Sequence, residues 1–565
     1  MSADGEVTAT GRRGALAARL LARADVGRER MLNFAMIAAA FLLILLPERD
    51  YVPIWDGRLY ASCAMDAAQK GLSLESLRCA GHPAQGWTLL LALPQMLKPF
   101  DIAALHFTNI ALGILALACI RMVLARVFPA PEHARQLDFV TLICAVHPVL
   151  LSTLIQPNVD FGVYVFFFAA LAALLNGRWG WTAAAGTFLC FSKETGVLAY
   201  AVMLALHAVW DLRDGVGGSA DRVRFAMRRA ASRWVTAVPL ILFAAIAAWR
   251  TATVGQSGIW KHTWQKAPID GFNFFDLSEP IFRSYAAGLF VLGFAWVVSA
   301  VIGADACVGL WRMVRRAPYR AARGADAKVL GYLTTLTLLL TYLLTSFRTW
   351  SNLRYFALLY PLFLMMFFAA LLRLGLGARL RGVVLGVVGA LFTLAAYRSA
   401  DPVSRWMYGT FSIGERVMYR MASITGEFGG PGKDELVYNL EFTGYHHVQN
   451  MLFQKMRPSP DAVVATSQSV RWNVWSALDS VTYRRTMRTT GVTSPVYADE
   501  TDVARMEPAR VPELWFLEFS NHADGDPTLE RLGRTYTELS IVRVHARGHV
   551  LKVHHLVRRD STVVP

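Results

Sequence analysis

The chain has no Walker phosphate loop, no glycine-rich dinucleotide turn, no HExxH pair and no cysteine–histidine spacing of a metal site. Those absences argue against an ATP-driven pump and against a zinc protease. Charge is scarce: Asp, Glu, Lys and Arg make up 17% of the 565 residues, while 55% are hydrophobic and the mean hydropathy is +0.36. Several apolar runs are too long for the core helices of a soluble protein, so the composition reads as a polytopic α-helical membrane protein. Acid is the scarcer sign, 41 residues against 57 basic ones, for a formal charge of +16. In a soluble chain that surplus points to nucleic acid. Here much of it sits in short loops between apolar runs, where it sets topology, and no nucleic-acid partner is expected. Cysteine is sparse as well, six in all. Cys119, Cys144, Cys190 and Cys307 lie in apolar runs and read as packing residues. Cys63 and Cys79 share one loop, where an oxidising compartment allows a disulfide that spacing alone leaves open.

Residues 1–30 form a basic, alanine-rich segment, cytoplasmic or interfacial. The apolar stretch from Met31 to Pro47 has no small-residue cleavage site after it and reads as an uncleaved anchor. Arginine-rich stretches then fix the cytoplasmic side: Arg121 to Arg135, Asn176 to Arg178, Arg213 to Arg233, Arg312 to Lys328 and Arg373 to Arg381. The alternate loops fall outside: Glu48 to about Ala103, Gln156 to Asp160, Ser192 to Thr195, Thr253 to Arg283, Phe347 to Arg354, and everything after Arg398. Parity holds only if Gln85 to Leu97, short and containing Pro94, is re-entrant or surface-lying. It also requires that the 30-residue run from Trp181 to Trp210 break at Ser192-Lys193-Glu194-Thr195. As one straight helix that run would measure about 45 Å against a hydrocarbon core of about 30 Å. The result is about eleven spans across 31–398, with interfacial helices in the external stretch 48–103.

From about Ser399 the composition turns polar. β-like runs at Glu435 to Glu441, Ala462 to Thr466, Leu514 to Phe519 and Ser540 to His545 are joined by helix-like stretches at Tyr445 to Lys455 and Val470 to Leu478. They predict an external α/β domain over 399–565. No repeat or low-complexity tract is present.

Several residues stand where chemistry is expected. Asp56, in Tyr51-Val-Pro-Ile-Trp-Asp-Gly-Arg-Leu-Tyr60, follows the first span and is a candidate general base; a solvated loop acid or helix cap is the bland alternative. Tyr60 belongs with Trp55 to an aromatic interface belt, and Leu59 to Gln69 forms a surface helix. His82 either bonds a phosphate or sugar hydroxyl or caps the next helix. Asp160, heading an apolar helix, either caps it or helps hold the acceptor. Lys193 and Glu194 are ionisable residues between two half-length spans; they mark a site or pathway, or an ion pair that pins the break. Arg354, followed by Tyr355, enters a late span as a phosphate grip or an interfacial anchor. The loop Trp260-Lys261-His262-Thr-Trp264-Gln-Lys266 covers a headgroup or sugar, or is an interfacial belt.

In order, Trp55-Asp56, His82-Pro83, Asp160, Phe191-Ser192-Lys193, Arg354-Tyr355 and Pro361 resemble the GT-C superfamily of integral-membrane glycosyltransferases. The branch is the protein O-mannosyltransferase and aminoarabinose-transferase-like group (glycosyltransferase family 39-like). The resemblance covers Met31 to about Arg398 and departs in two places. Gly57 stands where the family often has a second acid, which weighs against a metal-binding role, and His82-Pro83 is followed by Ala84. The resemblance implies a polyprenyl-monophosphate sugar as donor, an acceptor hydroxyl on a glycan, lipid or protein, and Asp56 as the base. It assigns His82, Asp160, Glu194 and Tyr60 to the bound substrates, and Lys193, Arg354 and Tyr355 to the departing lipid phosphate. No cofactor is implied. The absence of an endoplasmic-reticulum retention signal and the Arg/Ala-rich composition lean toward a bacterial inner membrane, N-terminus cytoplasmic and C-terminus periplasmic. A secondary transporter or lipid-linked glycan flippase would use the same broken span, although no inverted repeat relates the two halves. A glycan ligase or polymerase would instead carry a large external loop late in the membrane part.

Overall fold

The membrane part is a helical bundle, and some of its helices start where the sequence supplies a capping side chain. In the computed structural model the described residues are 31–49, 51, 53, 55–79, 82–214, 219–254, 286, 288–318, 320–346, 353–397, 401–403, 410–413, 416–419, 462–466, 496–499, 511–519, 527–546 and 549–559. The expected segments 1–30, Trp260 to Lys266, Glu435 to Glu441, Tyr445 to Lys455 and Val470 to Leu478 lie outside them. Helices α1 (Met31–Glu48), α2 (Trp55–Lys70), α3 (Gln85–Leu97) and α4 (Ile102–Val127) come first. Then come α5 (Ala134–Ala145), α6 (Pro148–Ile155), α7 (Val159–Leu175), α8 (Trp179–Cys190), α9 (Glu194–Asp214), α10 (Ser219–Ser232) and α11 (Val238–Val254). The late helices are α12 (Ala295–Val314), α13 (Ala327–Thr345), α14 (Leu359–Arg373) and α15 (Ala378–Tyr397). The side chains of Asp101, Asn158 and Asp326 accept the first free amides of α4, α7 and α13. Pro148 opens α6, where its missing N–H costs nothing.

Among the described residues five helices are long and apolar enough to cross a membrane, or up to seven if each of two bent pairs is one span. Their outer faces keep large apolar side chains exposed, among them Leu338 at 60% and Val383 at 61%. Water would penalise so much exposed apolar surface; lipid does not. At the centre, α7 is buried over nearly its whole length.

The basic loops meet at one end of this bundle. Arg126 pairs with Asp326 (2.9 Å), His133 donates to the Arg323 carbonyl (2.9 Å), and Gln136 donates to the Ala378 carbonyl (3.1 Å). The Trp210 indole donates to the Lys328 carbonyl (3.2 Å), and Arg233 pairs with Asp211 (2.6 Å) while lying over the Trp179 ring. All five arginine-rich stretches that the parity argument placed together are thus joined through these bonds or through the helix ends beside them. Two further acids, which sequence reasoning passed over, hold late helices. Asp305, inside α12, pairs with Arg373 (2.7 Å), and Asp401 accepts the Phe294 amide and the Trp296 indole.

The run from Trp181 to Trp210 breaks as expected: α8 ends at Cys190 and α9 begins at Glu194. Gln85 to Leu97 forms one short helix, α3. Beyond the bundle, strands β1 (Thr410–Ile413) and β2 (Arg416–Tyr419) form an antiparallel hairpin. Strands β3 (Val463–Thr466), β4 (Val496–Asp499), β5 (Glu513–Phe519), β6 (Tyr536–Ala546) and β7 (His549–Arg558) form one sheet in the order β4-β3-β5-β7-β6. The β3 strand runs parallel to both its neighbours, and β7 antiparallel to β5 and β6. Helix α16 (Pro527–Leu532) contributes Leu532 to a core with Val463, Leu514, Phe516 and Leu556. Of the strands foreseen, those at Ala462 to Thr466, Leu514 to Phe519 and Ser540 to His545 fall in this sheet as β3, β5 and β6, and β4 and β7 are added to them.

Gly186 of α8 faces Tyr200 of α9 so closely that an added methyl would collide with the phenol ring, whose hydroxyl donates to the Thr236 carbonyl (2.8 Å). Gly186→Ala is expected to lower the melting temperature of the purified protein, at a cost of about 1–3 kcal/mol. Gly180→Ala, in the same helix with open space around it, should be neutral or slightly stabilising by the same measurement.

Candidate active site

At the end of the bundle opposite the arginine-rich loops, four chain segments interlock. The α3 start docks onto the α8–α9 break, the Gly86 amide donating to the Phe191 carbonyl (2.9 Å). One residue on, the Trp87 indole donates to the Pro157 carbonyl (3.1 Å), so α3 also clasps the turn that leads into α7. Those two bonds satisfy carbonyls that the helix break and the proline turn would otherwise leave bare in a water-poor interior. Gln156 of the same turn donates to the buried Tyr51 hydroxyl (2.9 Å), and His106 of α4 donates to the Tyr51 carbonyl (2.7 Å).

Asp160 sits in the first turn of α7, 3% exposed. Capping belongs to Asn158, whose side chain accepts the Asp160 amide (3.3 Å), so the carboxylate of Asp160 is left for other work. One oxygen takes Lys193 Nζ at 2.8 Å from the α8–α9 break; the other lies 3.2 Å from Arg354 Nε, which comes from the 3-10 turn before α14. Lys193 Nζ also stands 3.9 Å from the centre of the Tyr355 ring. Two cations thus share one buried carboxylate, and their remaining donors suit an oxyanion.

The neighbouring acid is separately engaged. Glu194, first residue of α9, holds His82 Nδ1 at 3.0 Å. Lys193 and Glu194 therefore do not pair with each other; each reaches to a different segment. His82 is not a helix cap either, since α3 starts after Ala84 with no side-chain cap. The His82 amide donates to the Cys79 carbonyl (3.0 Å), and Cys79 is joined to Cys63 of α2 by a disulfide with Cα atoms 5.7 Å apart. The Tyr60 ring, buried on the same helix, lies 6.4 Å from the His82 ring.

The structure thus brings together Tyr60, His82, Asp160, Lys193, Glu194, Arg354 and Tyr355. Asp56 is the second residue of α2; its side chain lies outside the described residues. Its neighbour explains where it stands. A methyl on Gly57 would collide with the Gln156 carbonyl, so the start of α2 lies directly on the turn that delivers Asp160. The position where a second acid was expected has no room for any side chain. Sequence reasoning missed Gln156 and Tyr51 as the struts of this junction. It also missed Asp160 as the hub of the two cations, although its Gln-Pro-Asn turn marks a rigid entry to the helix.

Among the described residues Asp160 is paired with two cations, Glu194 faces His82, and no group of three or more His, Cys, Asp or Glu side chains gathers.

No protein-family model matches the chain, and no curated protein matches it in sequence. Among solved structures it is similar to ArnT from Cupriavidus metallidurans in the apo state, with 12% identity and a TM-score of 0.47 over 92% of this chain and 97% of that one. It is also similar to the archaeal oligosaccharyltransferase AglB from Archaeoglobus fulgidus in complex with an inhibitory peptide and a dolichol-phosphate, with 10% identity and a TM-score of 0.39 over 94% and 75% of the two chains. Function is to be read from this chain's own residues, Asp160 and its partners first among them.

Removing the carboxylate strands two buried cations. Asp160→Ala is expected to cost about 3–5 kcal/mol, read as a large drop in melting temperature, and Asp160→Ala/Lys193→Met should recover part of it. An Asp160→Ala protein as stable as the parent would show that the triad carries no structural weight.

Proposed function

We propose that this protein is a GT-C-type membrane glycosyltransferase that moves a sugar from a polyprenyl-monophosphate donor to an acceptor hydroxyl at the outer membrane surface. The observation that carries the proposal is the pair of buried cations on one carboxylate, Lys193 at 2.8 Å and Arg354 at 3.2 Å from Asp160. A phosphodiester donor brings one negative charge to two cations that share a single carboxylate. When the sugar–phosphate bond breaks, the leaving group gains a second negative charge, and the cations already in place bind that state better than the starting one.

In this reading Asp56 takes the proton of the acceptor hydroxyl, whose oxygen attacks the anomeric carbon from the face opposite the phosphate. The carbon–oxygen bond to phosphate breaks, the polyprenyl phosphate leaves on Lys193 and Arg354, and the anomeric configuration inverts. The Tyr355 ring beneath Lys193 restrains the ammonium group without neutralising it. His82, held by Glu194, and Tyr60 border the sugar or acceptor. Asp160 keeps both cations preorganised while no substrate is bound. About eleven spans carry this site. The arginine-joined end faces the cytoplasm, and the site and the C-terminal domain face the periplasm of a bacterial inner membrane.

Asp56→Asn should abolish release of free lipid phosphate from a labelled polyprenyl-monophosphate sugar, with expression and melting temperature unchanged; near-normal turnover in that variant ends the mechanism. Lys193→Met and Arg354→Leu should each lower turnover by about 10²–10³-fold. Transbilayer movement of the labelled lipid without bond cleavage would instead identify a flippase.

A further inference from the structure

At the arginine-joined end, α10 does not continue the bundle. Its stretch Asp221–Arg229 is bent by 73° from Trp234–Trp249 of the next span. That span exposes Ile241 at 63% and Trp249 at 57%, so its sides face lipid. A helix turned so far from a crossing axis runs close to the plane of the membrane. Exposed tryptophans mark the same level: Trp234 at the elbow, and Trp181 two residues beyond Trp179, over which Arg233 lies.

The two sides of α10 differ. One side is clamped to the protein: Arg229 pairs with Asp211 of α9 (2.9 Å), and its guanidinium lies 4.6 Å from the centre of the Phe225 ring. On another side Val223 and Met227, one helical turn apart, are 48% and 65% exposed, flanked by the exposed Arg222, Arg224 and Arg228. From Ser219 to Arg233 there are five arginines and one acid, Asp221. An apolar stripe edged with arginine needs hydrocarbon and anion from the same partner, which a leaflet of anionic phospholipid supplies.

We infer that α10 lies in the headgroup layer of an anionic leaflet, Val223 and Met227 entering the acyl boundary while Arg222, Arg224 and Arg228 hold lipid phosphates. The inference rests on the bundle being embedded in a membrane and not on the transferase chemistry.

The test uses the full chain in nanodiscs, in a Cys307→Ser background, with spin labels on Val223→Cys, Met227→Cys, Arg224→Cys and Ile241→Cys in turn. Collision with oxygen reports lipid, and collision with a water-soluble nickel chelate reports solvent. In phosphatidylglycerol discs the oxygen-to-nickel ratio at 223 and 227 should exceed that at 224 by about threefold or more. The ratio at 223 and 227 should fall in pure phosphatidylcholine or when Arg222, Arg224 and Arg228 are all changed to Gln. Labels at 223 and 227 that collide freely with nickel overturn the inference, and so do labels shielded from both reagents, which would mean that protein covers the stripe. The Ile241 label separates the two levels. If it reads lipid while α10 does not, only this inference falls; if it reads water, the membrane placement of the bundle falls with it.

Discussion

A carboxylate buried among helices is tolerable only when cations or hydrogen-bond donors come to it, and Asp160 draws two cations from distant parts of the chain. Lys193 arrives from the break between α8 and α9, and Arg354 from the turn before α14. To reach the same acid, both breaks must stand at the same height in the bundle and on the same side of α7. Asp160 therefore fixes the geometry of three elements at once, and the rest of this end of the molecule is arranged around it. Gly86 and Trp87 bring α3 onto the break and the turn, and Gln156 ties that turn to Tyr51.

The close packing has a chemical counterpart. Where Gly57 meets the Gln156 carbonyl there is no space for a second carboxylate beside Asp56. Among the described residues the site gathers two fixed side-chain cations on Asp160 and pairs Glu194 with His82. In the proposed reaction the charge of the leaving phosphate is met by groups already desolvated and in place, which is what makes such groups effective.

Much of this was legible in the sequence because membranes make sequence patterns stark. Lysine and glutamate in the middle of an apolar run had to mark a break, and arginine in five short stretches had to mark one end of the bundle. Those signals are local. What could not be read is which distant residues would meet. Asp160 and Lys193 are 33 residues apart, and His82 and Glu194 are 112 apart; nothing in the periodicity of either pair names the other. The same limit explains Asp305 and Asp401, each of which looks like an isolated acid until Arg373 or the Trp296 indole is seen beside it. In the C-terminal sheet, β7 reads as polar in sequence because histidine and lysine interrupt its valines and leucines, although Val553 and Leu556 are buried. Helix α10 was legible as a basic stretch, but its orientation was not, since a bend is a property of the chain on both sides of it.

The bridge between Cys63 and Cys79 bears on how firmly the His82 segment is held. Thiols are joined only where an oxidant is at hand, beyond the cytoplasm. The segment that presents His82 to Glu194 hangs from Cys79, so with the bridge reduced only non-covalent contacts would tie it to α2.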